Sequence, residues 1–89
     1  MKILLIEDNP SIVKGLVFSL ENAGYDVLEA SNVADAKALL NTTSIDLCIV
    51  DITLPDGDGV SLYEDNIKER DIMTIFLTAK DDEETVVKC

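Results

Sequence analysis

A rhythm of short apolar runs constrains this chain more than any other feature. Residues 3–6 (Ile-Leu-Leu-Ile) and 47–50 (Leu-Cys-Ile-Val) are unbroken apolar stretches. Runs of that length without alternation suit strands covered on both faces of a parallel sheet. Between them, apolar residues recur at helical spacing. Ile12, Val13, Leu16, Val17 and Leu20 share one helical face, opened by Asn9-Pro10 and closed by Gly24. Residues 26–30 read as a second, more polar strand near a sheet edge. Asn32 is placed to cap a second helix with Val33, Ala36, Leu39 and Leu40 on its inner face. Residues 54–59 form a loop rich in Pro, Gly and Asp, followed by a third helix over residues 60–70. Residues 72–77 make a fourth strand, and residues 81–88 start a fourth helix with acids in its first turn. Four βα units joined by short connections predict an α/β fold, a doubly wound parallel sheet with helices on both faces.

Ligands of such folds bind beyond the carboxyl ends of the strands. The first strand runs into Glu7 and Asp8, the third into Asp51 and the fourth into Thr78. Three carboxylates and a hydroxyl therefore converge on one edge of the sheet. Carboxylates crowded in a low-dielectric rim repel one another. A hard cation such as Mg2+, which prefers carboxylate and water oxygens, removes that cost. Asp51, at the end of a buried strand, is the expected functional centre.

Composition narrows the options. With 18 acids against 7 bases, the net charge is −11. Nucleic acid and anionic membranes would repel this surface, whereas a divalent cation or a basic partner would not. No segment offers the roughly 20 apolar residues of a membrane span, and Glu7 and Asp8 interrupt any signal-peptide pattern. Cys48 lies in an apolar run and Cys89 is the last residue, a spacing that fits neither a metal site nor a disulfide framework. These features point to the cytoplasm. There is no histidine, which removes triad hydrolysis. The first βα turn, Glu7-Asp8-Asn9-Pro10-Ser11, lacks the glycines of a dinucleotide site. Asp56-Gly57-Asp58-Gly59 fails the spacing of a calcium loop, because Val60 stands at a ligand position and Ser61 at the glycine.

At this point the residues resemble a known family, the receiver domain of two-component response regulators, whose fold is flavodoxin-like (CheY-like). The resemblance rests on the Glu7-Asp8 pair, on Asp51-Ile52-Thr53-Leu54-Pro55-Asp56-Gly57-Asp58-Gly59, and on Phe76-Leu77-Thr78-Ala79, in that order. It implies that Asp51 accepts a phosphoryl group from a phosphohistidine of a sensor histidine kinase. It implies that Glu7, Asp8, Asp51 and the backbone carbonyl of Thr53 hold Mg2+. Thr78 would be the switch hydroxyl that turns toward the phosphoryl group, with small Ala79 leaving room beside it. A conformational signal would pass to an output domain, for instance a DNA-binding one, outside this chain. The module would be a signalling phosphoacceptor rather than a conventional enzyme.

The family's domain continues into a fifth strand and helix, and carries a lysine at the end of that strand; this chain ends at Cys89. Lys80 does not match the lysine's position and reads as a solvated loop residue. The expectation is thus a receiver domain over residues 1–89, lacking its C-terminal part. A fourth strand left as a bare apolar edge would drive self-association. Two alternatives accompany this reading. One is a non-phosphorylatable receiver fragment that acts only as a self-associating or interaction module. The other, more remote, is a phosphatase of the haloacid dehalogenase type, which would want a second acid where Thr53 stands.

Overall fold

The computed structural model describes residues 1–77 and the backbone of residues 85–88. Thr78, Ala79, Lys80 and Cys89 lie outside the described residues. The chain order is β1 (Lys2–Ile6), α1 (Pro10–Asn22), β2 (Asp26–Ala30), α2 (Val33–Thr42) and β3 (Leu47–Asp51). A two-strand hairpin follows, β4 (Thr53–Leu54) and β5 (Gly57–Asp58), then α3 (Gly59–Leu62), β6 (Met73–Leu77) and β7 (Thr85–Lys88). The main sheet has the order β2-β1-β3-β6-β7. Its first four strands are parallel, and β2 is an outer strand as its polarity suggested.

The pleat divides each apolar run between two faces. Leu4, Ile6, Cys48, Val50 and Phe76 pack with Ala36 and Leu40 of α2 and with Leu62 of α3. Ile3, Leu5 and Ile49 pack on the other face against Val13, Leu16, Val17 and Leu20 of α1. Each fully buried side chain of this kind contributes about 1.5–3 kcal/mol. Asn9 caps α1 by accepting from the Ser11 N–H at 2.9 Å, and Gly24, at φ 97°, makes the left-handed exit that a larger residue resists.

Three expectations about the second half need correction. The loop over residues 54–59 contains a short antiparallel ladder pairing Thr53 with Asp58 and Leu54 with Gly57. The single helix expected over residues 60–70 is three pieces: α3, a π turn over Tyr63–Ile67 and a 3-10 turn over Lys68–Arg70. In the π turn the Lys68 N–H donates to the Tyr63 carbonyl, five residues back. The wider turn keeps both Tyr63 and Ile67 in the core, with the Tyr63 ring edge-on to Phe76 at 5.5 Å. Asp71 ends the segment at φ 60°, a conformation Asp tolerates better than most residues.

The third correction concerns the expected fourth helix. Residues 81–84 lie outside the described residues, but Thr85–Lys88 is a strand, antiparallel to β6. Thr85, Val86 and Val87 are β-branched and favour extended backbone. The outer edge of β6 offers unpaired N–H and C=O groups that need partners. Local acidity at residues 81–84 argued for a helix; the demand of the β6 edge prevails at residues 85–88. For the same reason the bare apolar edge expected at the fourth strand is absent, since β7 pairs with it from Thr74 to Leu77.

Candidate acidic site at the strand ends

Two neighbouring sheet strands deliver the described residues of the site. β1 and β3 are neighbours, with Ile6 in register with Val50, so the residues that follow them emerge side by side. Glu7 is still tied to the sheet, its N–H donating to the Ala30 carbonyl at 3.0 Å. Asp51 is the last residue of β3 and is the register partner of Leu77 in β6. Glu7 is 4% exposed and Asp51 5% exposed, while Asp8 is open to solvent. Carboxylate oxygens of Glu7, Asp8 and Asp51 all lie within 4.8 Å of one another. The convergence expected from the strand ends is therefore met for these three.

Their electrostatics divide the work. Burial, then the Asp51 charge and a hydrogen bond to it, push Glu7 up to about 7, against the lowering effect of the Asn9 N–H that donates to its Oε2 at 3.0 Å. Asp51 is also raised by burial, but the Thr53 N–H at 3.2 Å and the Glu7 carboxyl both favour its anion. Burial thus raises both carboxyls, and the hydrogen bond between them favours the Asp51 anion over that of Glu7. Two buried carboxylates that disfavour each other's charge mark a place where a cation would relieve repulsion. The donor set is all oxygen, hard and anionic, and fits Mg2+ better than a softer metal.

The backbone around Asp51 is closed tightly. The Gly59 N–H donates to the Ile52 carbonyl at 2.7 Å, folding the loop back on itself. A Cβ on Gly59 would run into the Asp51 carbonyl oxygen and would sit 2.6 Å from Val50 Cγ1. Only glycine permits that approach. Thr53 sits at the loop's start, its N–H on Asp51 Oδ1. Thr78, the remaining expected site residue, lies outside the described residues; it follows Leu77 directly in the chain.

One residue of the loop escaped the sequence reading. The sequence places Asp56 in a loop, yet its carboxylate accepts from the Val33 N–H at 2.7 Å and the Ala34 N–H at 3.2 Å, at the start of α2. No local pattern reveals a partner 23 residues upstream. Elsewhere, Cys48 is buried and its thiol is pushed up to about 12, in keeping with an inert core role. Among the described residues no helix is long and apolar enough to cross a membrane.

Comparison with known proteins gives the same direction. The family model of the response regulator receiver domain matches residues 3–89. The transcriptional regulatory protein VxrB of Vibrio cholerae is 47% identical over 77 residues, covering 86% of this chain and 31% of that protein. The swarming motility regulation protein RssB of Serratia marcescens is 40% identical over 88 residues, covering 98% of this chain and 40% of that protein. The chain therefore spans about a third of the length of these relatives. Among solved structures, the MaeR response regulator bound to beryllium trifluoride superposes with a TM-score of 0.82 at 33% identity, covering 92% of this chain and 70% of that one. The non-phosphorylated HemR receiver domain of Leptospira biflexa gives 0.81 at 36% identity, covering 91% and 66%. Sequence order, sheet topology and these likenesses agree: the chain belongs to the response regulator receiver domain family.

Proposed function

We propose that this chain is a phosphoacceptor receiver module in which Asp51 takes a phosphoryl group from a phosphohistidine of a sensor histidine kinase. The convergence of Glu7 and Asp8 on a buried Asp51 is the observation that carries this reading. An Asp51 carboxylate oxygen attacks phosphorus, the phosphorus–nitrogen bond of the donor breaks, and an acyl phosphate results. Glu7, Asp8, Asp51 and the Thr53 backbone carbonyl are the residues that would hold Mg2+. Bound there, the cation offsets charge on the phosphoryl oxygens. The chain's own part is to orient the Asp51 oxygen, through the Thr53 N–H. Thr78 is the proposed switch hydroxyl, because it follows the register partner of Asp51. A new acyl phosphate there adds charge that a hydroxyl can meet, biasing the segment that follows β6 in the chain. A cytoplasmic setting and an output domain elsewhere in the parent protein complete the reading, in line with relatives named as transcriptional regulators.

The test is to add Mg2+ and acetyl phosphate and follow intact mass. A gain of one phosphoryl group is expected, and Asp51→Asn abolishes it. An adduct that persists in Asp51→Asn would overturn the assignment of the acceptor.

A further inference from the structure

The hairpin that carries Thr53 has little to hold it in place by itself. It consists of two pairs of residues, Thr53 with Asp58 and Leu54 with Gly57. An isolated two-stranded ladder of that size is not stable in water. Leu54 is buried beneath it, but residues 55–58 are exposed. Asp58 ties it to the adjoining α3, accepting from the Ser61 N–H at 2.8 Å, and Asp56 ties it to the more distant α2.

That tie is chemically well matched. The first N–H groups of a helix have no partner within the helix. Asn32 satisfies the Asp35 N–H of α2 at 2.7 Å. Val33 and Ala34 are left, and Asp56 takes one with each carboxylate oxygen. The anion also sits at the positive end of the helix dipole. These contacts draw the Asp56 carboxyl below its usual range, the Val33 N–H first among the causes. Next to it, a Cβ on Gly57 would lie 3.1 Å from Val33 Cγ2, so the hairpin is seated directly on the first residue of α2. Helix α2 is in turn fixed to the sheet by buried Ala36 and Leu40.

We propose that Asp56 is a positioning residue for the acidic site, holding the Thr53 main chain beside Asp51 by anchoring the hairpin to the N-terminus of α2. The consequence for cation affinity rests on the Mg2+ reading above. Thr53 contributes its carbonyl to that site and its N–H to Asp51, so a hairpin free to shift blurs both. Asparagine at position 56 keeps one acceptor oxygen, loses the charge and presents an amide N–H₂ to a second N–H donor. Its effect falls between those of aspartate and alanine.

The experiment compares wild type with Asp56→Ala and Asp56→Asn, all verified as folded by circular dichroism. Amide hydrogen exchange is read in metal-free protein, and Mg2+ affinity by calorimetry. In Asp56→Ala, protection is expected to fall at Val33, Ala34 and also Thr53, with Mg2+ affinity weaker by about tenfold, the low end of outer-shell effects. Asp56→Asn gives a smaller change of the same kind, and decides the matter should the alanine variant fail to fold. Loss of protection at Val33 and Ala34 with Thr53 protection and Mg2+ affinity at wild-type values would overturn the proposal, reducing Asp56 to a helix cap. Wild-type protein that binds no Mg2+ would instead sink the acidic-site reading. Thr53 exchange would still decide whether Asp56 anchors the hairpin.

Discussion

Glu7 is the residue of the acidic site whose ionisation the fold alters strongly enough to shape stability near neutral pH. Its carboxyl titrates near 7 in the folded chain against an ordinary 4.5, chiefly because burial penalises the anion. Between those values the folded protein keeps a proton that the unfolded chain has released. Stability therefore falls as pH rises through that window, and the loss is complete above it. Asp51, raised in the same direction, adds to the trend. Asp56 works in the opposite sense, its contribution disappearing only as pH drops below the ordinary carboxylate range. A rise from 4.5 to about 7 corresponds to a loss of about 3 kcal/mol. Urea unfolding in a chelating buffer between about pH 5 and about pH 8 should show this decline. Glu7→Gln should flatten it while retaining an acceptor for the Asn9 N–H. An equally steep decline in that variant would mean the titration belongs elsewhere. Added Mg2+ should oppose the decline most strongly at the alkaline end, where Glu7 is already ionised.

At the scale of elements, α2 is gripped at both ends by the segment that follows Asp51. Asp56 meets its N-terminus, and Arg70 meets its C-terminus. The Arg70 guanidinium donates to the Leu40 carbonyl at 3.0 Å, to Asn41 Oδ1 at 2.7 Å and to the Asn66 carbonyl at 2.6 Å. Anion and cation each face the helix end that favours them. Arg70 is exposed, so its removal should cost only about 1 kcal/mol. Arg70→Lys should lose nearly as much as Arg70→Ala, because an ammonium cannot span the fork of acceptors. Denaturant midpoints with an unchanged slope would show it; full retention of stability in the lysine variant would assign the effect to charge alone. This grip was invisible in the sequence for a physical reason. Periodicity located α1, α2 and the four parallel strands, and the strand ends pointed to Glu7, Asp8 and Asp51. Those signals are local. Asp56 and Arg70 act on partners 22 to 30 residues away, which no window of sequence encodes. The π turn likewise holds a long-range contact, Tyr63 against Phe76 across the core.

For the molecule as a whole, the net charge of −11 opposes association, while an apolar sheet edge would promote it. The balance depends on β7. Its backbone covers β6 from Thr74 to Leu77, where Ile75 and Phe76 pair with Val87 and Val86. The acids at residues 81–84 look like a helix start in isolation, and yet the strand forms beyond them because an open β6 edge leaves backbone groups unsatisfied. Proline at both positions 86 and 87 removes two N–H donors from β7 and restricts its backbone, so the ladder cannot close. The Val86→Pro, Val87→Pro double variant should then expose the edge to other copies of the chain. Light scattering should report a mass that rises with protein concentration, and rises further as added salt screens the repulsion between acidic surfaces. Wild type under the same conditions should show the weaker concentration dependence of the two. A double variant no more prone to associate than wild type would mean that charge, rather than the covering strand, protects the edge.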